Sequence, residues 1–329
     1  MKDLPLKLKQ ILVVRNDRFG EFILNIPALR ALKESFPGCR LSCVVDPATS
    51  ELAGCVPYID RVISWKSGKR HSFLEKVSLI HWIRKNRFDA AVMLNPSKEF
   101  NFFSWAGGVP YRAGYDHKAA YLLTHKIKDD KYLGLKHEVE YNLDLVALLG
   151  AGTQDKSLTL KVESGIIDKL LDNYAVPKGG RLIAVHPWAS DKRKLWPQES
   201  FLALCRLLAQ KSGFTTLIIG SLDNQTQSAG VFGGLGSGVR DLTGKTSLKE
   251  LAALLKKSAL LISADSGPMH LACAVGTPVV ALFRNDLPGK TSGRWGPWPK
   301  ERSRVIERDD LARITPDEVM AAVEEMLKR

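Results

Sequence analysis

The sequence predicts an α/β fold made of two doubly wound parallel sheets, each covered by helices on both faces. Three observations predict it: short β-rich apolar runs alternate with stretches of helical spacing, the runs are apolar at nearly every position, and the alternation pauses once, between about 150 and 180. Nearly continuous apolar strands are typical of parallel sheets that are buried on both sides. The 329 residues suit two domains, which we place at 1–165 and 166–329.

The predicted elements follow one another along the chain. The apolar runs predicted as strands lie at 11–14, 41–45, 90–94, 182–186, 216–219, 260–263 and 278–283. The helical faces are formed by Phe22, Ile26, Leu29 and Leu32, by Phe201, Leu204 and Leu208, and by Leu251, Leu254 and Leu255. Pro27 should kink or restart the first of these helices. Pro197 and Pro316 are expected in the first turns of their helices, with Thr315 as the N-cap of the last one.

The chain carries an excess of positive charge, with 48 Lys and Arg against 35 Asp and Glu and a formal net charge of +13. Such an excess favours an anionic partner, and the candidates are nucleic acid, a phosphorylated substrate and an anionic membrane surface. The ordinary proportions of hydrophobic and charged residues exclude a disordered, collagen-like or disulfide-stapled chain.

The cysteines and the apolar runs indicate in which cellular compartment the protein is expected. The five cysteines are odd in number and include no C-x-x-C pair, which predicts buried thiols in a reducing cytosol rather than disulfides or a zinc site. No apolar run approaches the ~20 residues that span a bilayer, and the run at 11–14 is too short for a signal peptide.

Two motifs resemble nucleotide sites without meeting their requirements. The segment 243–246 contains the G-K-T of a P-loop, but the position that needs a second glycine is Val239, so a turn before a helix at 248–257 is predicted instead. The first strand-to-helix turn has one glycine, Gly20, and no G-x-G-x-x-G, which argues against an ordinary NAD-binding domain.

Two segments in the second half join a strand end to a helix start and carry residues suited to phosphate. The first, 186–197, offers the Ser190 hydroxyl and the mobile charge of Lys194. The second, 263–272, offers in succession the possible caps Asp265 and Ser266, the open Gly267, the helix-starting Pro268 and, in the first turn, His270. Exposed helix starts bind anions, and parallel sheets place ligands beyond the carboxyl ends of their strands. Two such loops in one domain predict a diphosphate, and hence a nucleotide.

A carboxylate follows the first strand in the other half. Glu21 comes after the tight Gly20 and before a helix, where it is placed to act as a general base. An acid at this position also stabilises the positive end of a helix dipole. The residues alone leave both roles open.

Together these residues resemble glycosyltransferase family 9, whose best-known members are the ADP-heptose:lipopolysaccharide heptosyltransferases. The resemblance covers nearly the whole chain, and the order and spacing of its motifs are specific. The motifs lie at 11–15, 20–21, 25–32, 105–114, 194–197, 242–244 and 265–272. The resemblance implies a GT-B architecture, in which two Rossmann-like domains face a central cleft, with the acceptor on the N-terminal domain and the nucleotide-sugar on the C-terminal one.

The resemblance also implies roles for single residues. The family's donor contacts correspond to Ser190, Lys194, Asp265, Ser266, Gly267 and His270, with Asp223 near the ribose and Lys245 and Thr246 near the base. The family's usual aspartic acid after the first-loop glycine is replaced here by Glu21, which is one methylene longer. Glu21 is therefore the expected base, with Asp17 as the alternative, and Lys194 is expected to stabilise the leaving diphosphate.

The implied activity is an inverting sugar transfer that uses neither a metal nor a cofactor, with ADP-heptose as the expected donor. The absence of an Asp-x-Asp cluster from the loops of the predicted cleft agrees with this. The expected acceptor is a phosphorylated or acidic glycolipid of the lipopolysaccharide type. The cations expected near it are Arg15, Arg18, Lys66, Lys69, Arg70 and Arg112. The positive charge also predicts a peripheral contact with the anionic cytoplasmic face of the inner membrane.

Three other functions remain open at this stage. A nucleotide-sugar epimerase could use the same architecture without a separate acceptor. A non-catalytic nucleotide-sugar-binding protein would explain Glu21 as a lost base. A nucleic-acid binder would explain the charge alone, but the basic residues Lys66, Lys69 and Arg70 lie outside any recognised nucleic-acid module, so no nucleic-acid partner is expected.

Overall fold

The structure is a computed structural model that describes residues 7–177, 179–211 and 213–328. The chain divides into two compact units, one that ends at Thr159 and one that begins at Leu160. This division falls a few residues before the boundary at 165/166 that the sequence suggested. Each unit contains one six-stranded parallel sheet, as the alternating pattern predicts.

The first unit is built on a sheet with the strand order β3-β2-β1-β4-β5-β6. Its strands are β1 (Gln10–Arg15), β2 (Arg40–Val45), β3 (Arg61–Ser64), β4 (Ala90–Met93), β5 (Tyr111–Tyr115) and β6 (His125–Ile127). Its helices are α1 (Phe19–Ile23), α2 (Ile26–Ser35), α3 (Ser50–Ala53), α4 (Phe73–Asn86), α5 (Lys98–Ala106) and α6 (Glu138–Ala147). The central strand β1 is buried from its second residue to its last, as expected for a sheet covered on both faces.

The second unit repeats this plan with the strand order β12-β11-β10-β7-β8-β9. Its strands are β7 (Arg181–His186), β8 (Phe214–Ile218), β9 (Val239–Asp241), β10 (Leu260–Ala264), β11 (Val279–Arg284) and β12 (Ser303–Arg308). Its helices are α7 (Asp168–Asn173), α8 (Gln198–Ala209), α9 (Gln225–Phe232), α10 (Leu248–Lys257), α11 (Gly267–Val275), α12 (Ser292–Trp295) and α13 (Pro316–Lys328). All seven strands predicted from the apolar runs are present.

Prolines mark where several helices begin. Pro27 is the second residue of α2, so the chain ends α1 at Ile23 and starts a new helix rather than kinking one. Pro316 is the first residue of α13, and Thr315 Oγ1 accepts a hydrogen bond of 3.2 Å from the Glu318 N–H, as predicted for an N-cap. The expectation for Pro197 was wrong by one position, because it is the N-cap that precedes α8.

Two expectations from the sequence concern helices that could cross a membrane and side chains that could bind a metal ion. Among residues 7–177, 179–211 and 213–328, no helix is long and apolar enough to cross a membrane. Within the same ranges, no group of three or more His, Cys, Asp and Glu side chains is arranged to hold a metal ion. Metal independence remains a prediction about the reaction.

Candidate active site

The two phosphate-suited segments of the second unit meet at one edge of its sheet. Strands β7 and β10 are parallel neighbours, with Ser263 paired to His186, so the segments that follow them leave the same edge. Lys194 ends a short 3₁₀ turn after β7, and its ammonium group forms an ion pair with Asp265, which follows β10. The structure therefore brings together Lys194 and the start of α11, although 71 positions of sequence separate Lys194 from Asp265.

The N-cap side chain of α11 does not bind the backbone of the helix. Ser266 is the N-cap residue, but its side chain makes no capping hydrogen bond, and its hydroxyl lies 2.7 Å from the Ser263 hydroxyl instead. Ser266 therefore occupies the expected N-cap position, but its side chain does not cap the helix. The Ser266 hydroxyl therefore does not occupy the first-turn N–H groups, and the start of a helix is a suitable place for an anion such as a phosphate.

Two histidines are buried near the carboxyl ends of β7 and β10. His270 is buried in the first turn of α11, and His186 is buried at the end of β7 with Nδ1 3.4 Å from the Ser263 hydroxyl. Burial lowers the pKa of His186 to about 3, so its imidazole is neutral at physiological pH. Sequence reasoning included His186 in the first segment without giving it a role. Its place at the carboxyl end of a predicted strand was the available signal.

The remaining predicted donor residues lie in the segments that follow β7, β8 and β9. Ser190 is exposed in the turn before Lys194, Asp223 is exposed in a 3₁₀ turn after β8, and Thr246 is half-buried between β9 and α10. The loops after β8 and β9 are tied together by the Gly244 N–H, which donates 2.9 Å to the Gly220 carbonyl. In the sheet order, β8 and β9 follow β7 on the side away from β10. These three residues remain predicted donor contacts.

The close approach of Trp188 and Gly220 shapes the loop after β8. The indole of Trp188 is buried, and a Cβ atom on Gly220 would lie 2.4 Å from its Nε1 and 3.0 Å from Thr243 Cγ2. No side chain larger than hydrogen fits there unless the indole or the loop moves.

We therefore expect Gly220→Ala to destabilise the protein by about 1–3 kcal/mol, which is the usual cost of overpacking, and to weaken ADP binding because the loop is displaced. Urea unfolding gives the first quantity and calorimetric titration the second. Gly230→Ala is the matched control: Gly230 lies in α9 with nothing within 4 Å of an added Cβ, and alanine favours a helix. Equal stability of the two variants would contradict the packing argument.

The predicted base lies in the first turn of α1, in the first unit. The Glu21 side chain is 21% exposed, and its Oε1 lies 3.9 Å from an Arg18 guanidinium nitrogen. Burial raises the pKa of Glu21 above its ordinary value, and the positive charge of Arg15 opposes this rise. The alternative base, Asp17, forms an ion pair of 2.8 Å with Arg15 Nε. Both carboxylates remain candidates, but the ion-pair distance from Glu21 to Arg18 is longer than that from Asp17 to Arg15.

The charged side chain of Arg15 is buried in the first unit and is not exposed to solvent. Its side chain is 3% exposed, it donates 3.1 Å to the Leu94 carbonyl, and it lies 3.6 Å from Glu138, which in turn lies 3.7 Å from Lys131. A buried charge needs such partners. The geometry favours a role for Arg15 in positioning the first loop, and a direct acceptor contact remains only a prediction.

The other predicted acceptor cations differ in their surroundings. Four of them are exposed: Arg18, Lys66, Lys69 and Arg70. Arg112 is half-buried on β5, where Nε donates 2.6 Å to the Leu122 carbonyl and Nη1 donates to the Val109 carbonyl. Arg112 therefore holds the turns around β5, whereas the four exposed cations are accessible to an anionic ligand.

Known structures share this fold over almost the whole chain. The structure of E. coli ADP-heptose LPS heptosyltransferase II matches with a TM-score of 0.84 and 22% identity, covering 97% of this chain and 98% of that one. The E. coli heptosyltransferase WaaC with ADP-2-deoxy-2-fluoro heptose matches with a TM-score of 0.72 and 20% identity, covering 96% and 99%. Among sequences, lipopolysaccharide heptosyltransferase 2 of Salmonella typhimurium is 24% identical over 312 residues, which is 90% of this chain and 87% of that protein.

The two parallel sheets and these matches give the protein the GT-B fold, and a match to a family model makes it a glycosyltransferase. The chain belongs to glycosyltransferase family 9 (heptosyltransferase), whose family model matches residues 76–313. The matched region contains Lys194 and the start of α11, and it begins after Glu21.

Proposed function

We propose that the protein transfers heptose from ADP-heptose to a phosphorylated acceptor of the lipopolysaccharide core, with inversion at the anomeric carbon and without a metal. The observation that carries this proposal is the pairing of Lys194 with Asp265 beside the start of α11. A lysine cation and a helix start at the same end of the sheet are suited to bind a diphosphate. The family membership and the names of the matched relatives support the sugar and the acceptor.

The donor would be bound by several elements of the second unit. Lys194, Ser190 and the backbone from Ser266 to His270 would hold the diphosphate, since they offer a cation, a hydroxyl and N–H groups. Asp223 would contact the ribose and Thr246 the base. Gly267 would let the sugar diphosphate approach the backbone closely, because it has no side chain.

The transfer itself requires one proton acceptor and stabilisation of one leaving group. The acceptor oxygen forms a bond to the anomeric carbon while the bond from that carbon to the diphosphate oxygen breaks. The hydroxyl proton passes to the carboxylate of Glu21, and the electron pair of the broken bond leaves with ADP. Lys194 and the N–H groups of α11 counter the charge that develops on the diphosphate.

The acceptor explains the positive charge in this proposal. A lipopolysaccharide precursor carries phosphates and acidic sugars in an anionic leaflet, which favours the exposed cations Arg18, Lys69 and Arg70. The protein would work at the cytoplasmic face of the inner membrane. Membership of a transferase family favours this function over the epimerase and the non-catalytic binding protein.

Thermal unfolding with a panel of nucleoside diphosphates tests the donor. At a ligand concentration of about 100 Kd, a specific ligand stabilises the folded state by roughly 2.7 kcal/mol, so ADP should raise the Tm by several degrees. UDP, GDP and CDP should raise it less. A protein that responds to none of the four at millimolar concentration is not a nucleotide-sugar transferase of this kind, and a preference for another base would reassign the donor.

A further inference from the structure

The first turns of α4 present large apolar side chains to solvent. Phe73 is 78% exposed, Leu74 is 77% exposed and Val77 is also exposed; we name these three residues the α4 patch. The patch is held by ordered backbone, because Ser72 and Glu75 form a capping box in which the Glu75 N–H donates 3.2 Å to Ser72 Oγ and the Ser72 N–H donates 2.7 Å to Glu75. Neighbouring exposed apolar side chains on a rigid helix start indicate an interaction surface.

The patch continues toward the edge of the sheet. Leu74 lines a groove together with Trp82 of α4 and Ile63 of β3, and β3 is the edge strand of the first sheet. The Arg61 guanidinium lies 5.3 Å from the centre of the Trp82 ring and places a charge in the lining of this groove. The apolar surface therefore has a charged border on the side of β3.

Cations also border the patch along the chain. The loop before α4 exposes Lys66, Lys69 and Arg70. Lys76, one turn into the helix, is half-buried and lies 3.9 Å from Glu99, so the exposed cations are those of the loop. Glu75 is bound within the capping box and lies 3.9 Å from Lys69. Aromatic and aliphatic side chains bordered by lysine and arginine are typical of surfaces that enter the interface of an anionic bilayer.

We infer that the α4 patch and the loop cations Lys66, Lys69 and Arg70 form the surface by which this protein binds an anionic phospholipid bilayer. Phe73 and Leu74 enter the region between headgroups and acyl chains, while the cations remain at the headgroups. The inference rests on the proposed function, since the glycolipid acceptor lies in such a leaflet, and it adds which face of the first unit meets the membrane. The charged border favours a bilayer over an apolar protein partner or a second copy of this chain.

Vesicle sedimentation tests the surface separately from sugar transfer. The full-length protein is mixed with vesicles of phosphatidylcholine alone or with phosphatidylglycerol added, at low and at high salt. The expected result is binding that requires phosphatidylglycerol and weakens as salt rises. The double variant Phe73→Ser/Leu74→Ser should lower the partition coefficient at least ~10-fold, and the variants Lys69→Gln and Arg70→Gln should each lower it about fivefold.

The control substitution is Leu135→Ser. Leu135 is 74% exposed on the segment between β6 and α6, and β6 is the edge strand opposite β3. This variant should bind vesicles like the parent protein. Equal losses in the control and the α4 double variant, or a wild-type protein that ignores anionic vesicles, would overturn the inference, as would concentration-dependent dimerisation that only the α4 double variant abolishes.

The response to ADP distinguishes the proposed donor site from the proposed membrane surface. The α4 double variant should show the parent's ADP-induced rise in Tm, because the substituted residues lie in the first unit and the proposed nucleotide contacts lie in the second. Loss of vesicle binding with an intact ADP response supports the membrane surface. An absent ADP response in the parent protein would count against the donor site and leave the vesicle result to be judged by itself.

Discussion

Glu21→Gln should lower kcat by about 10²–10⁴-fold and leave ADP affinity unchanged. The substitution keeps the size and shape of the side chain but replaces the carboxylate, which accepts the acceptor's proton, with an amide that cannot; general-base catalysis contributes this range of rate. The affinity should persist because the proposed nucleotide contacts belong to the second unit, whereas Glu21 lies in α1 of the first. Steady-state rates with the acceptor and calorimetry with ADP measure the two quantities.

The environment of Glu21 gives this prediction a second signature. A base must be ionised to act, so kcat/KM falls as pH falls through the pKa of the base. Burial raises the pKa of Glu21, and the fall should therefore begin at a higher pH than it would for an exposed glutamate. The acid limb should disappear from the residual activity of Glu21→Gln.

Two further variants decide which carboxylate is the base. Glu21→Asp keeps a carboxylate and shortens the side chain to the acid usual in the family, so it should retain more activity than Glu21→Gln. Asp17→Asn removes the carboxylate that is paired with Arg15 and should have the smaller effect on kcat. Normal turnover by Glu21→Gln together with an inactive Asp17→Asn would transfer the role to Asp17.

The sequence predicted the buried strands better than the edge strands. Strands such as β1 and β10 are apolar at almost every position because both of their faces are covered. The predicted runs omit β3, β5, β6, β9 and β12, of which all but β5 are edge strands. Strands β3 and β9, for example, are short and carry charged residues such as Arg61 and Asp241. An edge strand pairs with a neighbouring strand on one side only and buries little apolar surface. Its sequence can therefore be as polar as that of a loop.

The sequence proposed candidate site residues but did not indicate which of their side chains contact one another. Lys194 and Asp265 were both expected to contact the donor, yet nothing local indicates that their side chains meet, because the contact depends on the parallel pairing of β7 with β10. The surroundings of Arg15 were also not evident from the sequence, but here the predicted exposed cation is buried. Arg15 follows an apolar strand and suggested an exposed cation, but its partner Glu138 comes from α6, more than a hundred residues away.

These two cases share a physical cause. A charged side chain at the carboxyl end of a parallel strand can be exposed to a ligand or neutralised by an internal partner, and only the long-range contacts decide between them. Asp265 holds Lys194 at the start of α11, where a diphosphate would accept its hydrogen bonds. Glu138 and Asp17 hold Arg15 beneath the first loop, where its charge acts on Glu21.

Lys194→Ala should lower kcat by about 10²–10³-fold, a loss of roughly 3–4 kcal/mol of transition-state stabilisation, which is typical for the removal of one preorganised donor. The ammonium group has three hydrogen-bond donors, so it can remain on Asp265 while it binds the diphosphate. The charge on the diphosphate grows as the sugar leaves, so the loss should be larger in kcat than in the affinity for ADP. Single-turnover rates and calorimetry separate the two effects.

The variant Lys192→Ala is the matched control, because Lys192 is an exposed lysine in the same 3₁₀ turn and should be dispensable. Lys194→Arg keeps the charge in a planar, bulkier group and should recover only part of the rate. Asp265→Asn tests the positioning of Lys194: it should keep the cation but reduce kcat, because the ammonium group is no longer fixed beside α11. A Lys194→Ala protein as active as Lys192→Ala would show that the diphosphate leaves without this cation, and the start of α11 would then have to supply the stabilisation by itself.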